Sequence, residues 1–94
     1  MTKNEFPFVV GYVGDIAIID KKFKNKFKGK TVAQLVEAGQ YKAAYCLALF
    51  TGDKDKELIA NSYNNLSGSR YNVADLERLF GVFTIAEAAK IKVL

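Results

Sequence analysis

The chain has no histidine, a single cysteine, a single proline and a single methionine. Without an imidazole it lacks the usual general base near neutral pH and every catalytic arrangement that needs one. One cysteine cannot close an internal disulfide, so nothing points to an oxidising compartment. With one cysteine and no histidine, a zinc site of standard composition cannot be built within one chain. Neither the dinucleotide glycine fingerprint nor the phosphate-loop pattern occurs. The expectation is a protein that is not an enzyme, with no catalytic residues, no cofactor and no metal.

Long apolar runs are also missing. The segment "FPFVVGYVGD" is interrupted by Pro7 and Gly11 and closed by Asp15, too short for a membrane span and without a credible signal cleavage site. No membrane association and a cytoplasmic location are expected. There is no low-complexity linker and no internal repeat, so residues 1–94 read as one small globular domain. Half of the residues are hydrophobic and 26% are charged, an ordinary globular balance.

Present instead is one basic stretch, "KKFKNKFKGK" at 21–30. It holds Lys21, Lys22, Lys24, Lys26, Lys28 and Lys30, six of the fourteen basic residues, and no acidic one. The remaining residues carry eight basic against ten acidic side chains, a net −2, although the whole chain is +4. The protein is a slightly acidic body with a basic strip, which concentrates potential where a polyanion or acidic partner would feel it.

The residue pattern predicts an α+β fold. "FPFVVGYVGDIAIID" reads as an N-terminal β-hairpin, with Gly14-Asp15 as a two-residue turn and Gly11 marking a bulge or a close backbone neighbour. In 22–28 the lysines share one parity and Phe23 and Phe27 the other. That predicts an extended segment and a possible third strand, lysines on one face and rings on the other. About four short helices follow. Thr31 and Gln34 form a capping box, and Gly39 stops that helix. Residues 40–51 hold one charge, Lys42, and are apolar nearly all round, as expected of a central core helix. A helix over 54–66 opens on Asp53, Asp55 and Glu57 and turns Leu58, Ile59, Tyr63 and Leu66 inward. Asn72 caps the next, with Val73, Leu76, Leu79 and Phe80 inward. Thr84 and Glu87 form a second capping box. "KIKVL" alternates, and residues 90–94 fit a helix end or a terminal strand added to the hairpin.

Weaker site patterns are outweighed by plainer readings. Cys46 sits in the most apolar helix and reads as a core filler. Asp53, Asp55 and Glu57 fail as a calcium loop, because the sixth position is Leu58 and the twelfth is Asn64. Gly11-Tyr12-Val13-Gly14 has the spacing of a nucleic-acid-binding GXXG loop but lies at a hairpin turn. "SGSRYN" could place Ser69 and Arg70 beside an anion, although a capped loop accounts for it more simply.

The lysine strip has three readings: protection of a sheet edge, phosphate binding to nucleic acid, or docking onto an acidic protein. Lysines about 7 Å apart repel by roughly 0.6 kcal/mol per pair in water, so the strip can exist without a ligand. Edge protection, however, takes one or two charges rather than six. The expectation is a non-catalytic accessory or interaction protein, working as a subunit of a larger assembly or as a homo-oligomer. The alternative is a basic nucleic-acid-binding module, largely indifferent to sequence, using Lys21–Lys30. Phe23, Phe27, Phe80 and Phe83, together with Phe6, Phe8 and Tyr12, are candidates for an apolar surface that a protein partner or a second copy would cover.

Overall fold

The computed structural model describes residues 3, 5–81 and 90–94. A single 3-10 turn, Phe6–Phe8, leads into strands β1 (Val9–Val13) and β2 (Ile16–Ile19). Among the described residues five helices follow: α1 (Lys21–Phe27), α2 (Val32–Glu37), α3 (Tyr41–Thr51), α4 (Asp53–Ser67) and α5 (Leu76–Phe80), the last entered through a 3-10 turn at Val73–Asp75. Strand β3 (Lys90–Val93) closes the described chain. The fold is α+β with an N-terminal hairpin.

The sheet order is β1-β2-β3, with β1 antiparallel and β3 parallel to β2. Gly14 has φ +62° and Asp15 is not in the left-handed region, so the turn has the positive-then-negative φ of type II′. That explains the order Gly-Asp, because type II′ needs its glycine first. The expected bulge is present: Val9 pairs with Ile19 and Gly11 with Ile18, leaving Val10 as the extra residue.

The core forms around α3, in which Ala43 to Ala48 are six consecutive buried residues. Val32, Leu35 and Val36 of α2, Ile59 and Ala60 of α4, and Leu76 of α5 complete the cluster. Ala43, Ala44 and Ala48 let neighbouring helices approach closely, and rings fill the remaining space. Tyr45 stacks on Phe80 at 5.6 Å, and Tyr63 meets Tyr41 edge-on at 5.4 Å and Phe80 at 6.0 Å.

The structure corrects three expectations. Residues 21–27 form a helix, not an extended segment, and the third strand is 90–93. Asp20 decides this: its carboxylate accepts from Lys22 N and Phe23 N, and so caps the helix. Leu58 and Leu66 are exposed, and Ile59 with Ala60 carries the buried stripe of α4. Phe6 and Phe8 are buried, Phe6 against Phe50 and Phe8 against Phe23, so neither offers an open surface. The Thr84–Glu87 capping box and Phe83 lie outside the described residues.

Candidate interaction surface

Helix α1 has seven residues, too few to persist alone in water. The Asp20 cap holds one end, and the two phenylalanines hold the side facing the protein. Phe23 and Phe27 lie 5.1 Å apart at an i, i+4 spacing, and both pack against the helical core. At about 100° per residue, every lysine from 21 to 28 projects at least roughly 80° away from the mean direction of these rings. The phenyl rings therefore face the protein, and the ammonium groups take the rest of the circumference. Lys24 is half-buried at one shoulder, and Lys26 at the other places Nζ 5.5 Å from the Phe27 ring. Lys21, Lys22, Lys28 and Lys30 are exposed. A helix thus keeps the rings apart from the lysines, but it spreads the lysines over the remaining circumference, with Lys24 and Lys26 on opposite shoulders, where a strand would have set them all on one face.

Within the fold this charge has no counterpart. Among the described residues, none of the six ammonium groups is ion-paired with a carboxylate. The first turn of α1 carries no acidic residue, so Lys21 and Lys22 oppose the helix dipole, offset only by the Asp20 cap. Lys21 with Lys24, Lys22 with Lys26 and Lys24 with Lys28 stand at helical neighbour spacings, each repelling by a few tenths of a kcal/mol, so roughly 1 kcal/mol together. The arrangement costs local stability.

Strand β3 realises the alternative of a terminal strand added to the hairpin, and its end lies beside the start of α1. Leu94 N donates to Ile19 O at 2.9 Å, and Lys21 N donates to Leu94 O at 2.9 Å, so the end of β3 is tied to the start of α1. Lys90 and Lys92 pair with Ile16 and Ile18, and both lysines are exposed. The alternation of "KIKVL" was the signal for this strand, although a short run of that kind fits a helix end as well.

The other candidate residues do not join this surface. Phe80 is half-buried and stacked on Tyr45, a structural position. Tyr12 is half exposed on β1 beside exposed Val10 and Val13. A cavity of about 510 Å³ is lined by Phe6, Phe8 and Tyr12 together with Phe23, Lys42 and Cys46. Burial pushes the Cys46 thiol up to about 11, with the Lys42 ammonium acting weakly in the opposite direction. A thiol so shifted is a poor nucleophile at neutral pH.

Among the described residues there is no cluster of three metal-ligating side chains, and no helix is long and apolar enough to cross a membrane. Compared with known proteins, the chain matches no family model, no curated protein and no solved structure.

Proposed function

We propose that this is a non-catalytic interaction module that docks onto an acidic protein surface through the outward lysines of α1, with Lys90 and Lys92 extending the contact. The observation that supports this reading is the uncompensated charge: six lysines on and beside one short helix, none ion-paired within the described fold. An external anion is what would turn that local cost into a gain. Self-association through the same surface is disfavoured, because a two-fold contact would set lysines against lysines. The partner is therefore a different, acidic chain, and the protein acts as an accessory subunit of that assembly.

Nucleic acid is the competing polyanion. Single-strand binding combines backbone charge with aromatic stacking. Here Phe23 and Phe27 are turned into the protein, which leaves the lysine surface without a ring to offer a base.

The test compares polyglutamate with duplex and single-stranded DNA of matched charge, at low and physiological salt. The wild-type chain and a variant with Lys22, Lys24, Lys26 and Lys28 changed to glutamine are titrated side by side. Expected are preferential binding of polyglutamate, weakening with salt, and loss of that binding in the variant. Tighter binding to either DNA would transfer the function to nucleic acid, and absence of binding to all three would end both readings.

A further inference from the structure

The cations of this chain are distributed unevenly by type as well as by position. Twelve of the fourteen basic residues are lysine; the two arginines are Arg70 and Arg78. Both line a single concavity of about 610 Å³, together with Ser69, Tyr71, Asp75 and Leu79. Neither guanidinium is ion-paired among the described residues. Two guanidinium groups against one carboxylate give the described lining a net positive charge, which favours an anion. The planar fork of arginine suits a phosphate oxyanion, which a lysine meets only as a point charge.

The backbone around them is held from both sides. Asn64 of α4 accepts from Tyr71 N at 2.8 Å and donates to Tyr71 O at 2.7 Å, so the residue following Arg70 is clamped by a side-chain amide. Asn72 and Asp75 then close a reciprocal capping box: Asn72 N donates to Asp75 Oδ2 at 3.0 Å, and Asp75 N donates to Asn72 Oδ1 at 3.1 Å. That box turns the chain into α5, which carries Arg78. It also engages the Asp75 carboxylate, the one acidic group among the described lining residues, with a backbone donor, and the two guanidinium groups leave that lining net positive. The cationic side chains sit on a frame built to keep its shape, as a preformed binding site requires.

We propose that Arg70 and Arg78 bind a small phosphate monoester, with Tyr71 and Leu79 lining the place of its apolar body. This site is separate from the α1 surface and uses none of its lysines. The probes are phenyl phosphate, inorganic phosphate and phenol, followed by NMR at the arginine Nε–H groups and the Tyr71 amide. Phenyl phosphate is expected to shift these signals, inorganic phosphate to do so more weakly, and phenol not at all. Arg70→Lys and Arg78→Lys keep the charge but lose the fork, and each is expected to weaken binding roughly tenfold. The variant with four α1 lysines changed to glutamine is expected to bind as the wild type does. No shift with either phosphate would overturn the proposal. So would equal affinity in the lysine variants, or a loss in the α1 variant matching that in the arginine variants, since each marks diffuse charge attraction.

Discussion

The Asp20 carboxylate accepts a hydrogen bond from Phe23 N at 3.1 Å, and a second from Lys22 N at 2.9 Å. This contact turns the chain from β2 into α1 and sets the direction in which Phe23 enters the protein. Asp20→Ala is expected to cost about 1 kcal/mol, the usual worth of an N-cap. Asp20→Asn, which keeps the acceptor, should lose much less. Urea denaturation of the two variants separates cap from charge: equal losses would mean that the carboxylate acts through charge on the lysines and not as a cap.

The charge pattern of α1 implies an opposition between stability and binding. Lys21 and Lys22 stand in the first turn, where the helix dipole disfavours cations. Replacing Lys22 with glutamate is expected to stabilise the fold by about 0.3–1 kcal/mol. The same change should weaken binding to polyglutamate. A rise in thermal midpoint together with weaker binding is the expected pair of results. A fall in the midpoint would show that Lys22 has a structural role that the described contacts do not reveal.

Two glycines of the hairpin should respond unequally to alanine. Gly14 holds φ +62° at the first position of its turn, a conformation that costs a residue with a Cβ roughly 1–2 kcal/mol. Gly11 is outside the positive-φ set, and a Cβ there would meet nothing within 4 Å. Gly11→Ala is therefore expected to leave stability within about 0.5 kcal/mol of wild type. Chemical denaturation of both variants measures the difference.

The helical half of the fold was largely legible because its signals are local. The Thr31–Gln34 capping box is present, with Thr31 N donating to Gln34 Oε1 at 2.9 Å and Gln34 N donating to Thr31 Oγ1 at 3.2 Å. The unbroken burial of Ala43 to Ala48 follows from the near absence of charge between 40 and 51. The basic segment misled because two periods coincide in it. Lysines at every second position and phenylalanines four apart satisfy both a strand and a helix. The tie is broken by Asp20, one residue before the pattern begins. Strand β3 was legible only as one of two alternatives, a terminal strand added to the hairpin or a helix end, because its partner lies more than seventy residues earlier and a short alternating run does not decide between the two. The pair of arginines was half visible: "SGSRYN" marked Arg70, but only the turn through Asn72 and Asp75 places Arg78 on the same concavity.

The Asn64–Tyr71 clamp makes a prediction that can be checked by two substitutions. Asn64→Ala removes both hydrogen bonds of a half-buried side chain, at an expected cost of about 1–2 kcal/mol. Asn64→Asp retains the acceptor for Tyr71 N but turns a carboxylate toward Tyr71 O, and should be at least as harmful. Leaving the backbone of 70–72 unclamped should also weaken phenyl phosphate binding. Unchanged phosphate affinity in a folded Asn64→Ala protein would show that the loop keeps its shape without the clamp.

Cys46 sets an alkaline limit on the fold. Its thiol is 5% exposed, and burial raises it from an ordinary value of 9 to about 11. Between those values the unfolded chain has released the proton while the folded chain still holds it. The unfolded state then binds fewer protons, so stability is complete below pH 9 and falls as pH rises toward 11. The slope contributed by this one group is at most about 1.4 kcal/mol per pH unit. Tyr45 acts in the same direction, raised first by burial and then by Glu77 and the Cys46 thiol. Cys46→Ala should therefore flatten the decline above pH 9 without abolishing it. At pH 8 only about one thiol in a thousand is ionised in the folded state. Alkylation should accordingly be slow in water and fast in urea. An equally steep alkaline decline in Cys46→Ala, or rapid alkylation of the native protein at pH 8, would contradict the burial of this thiol.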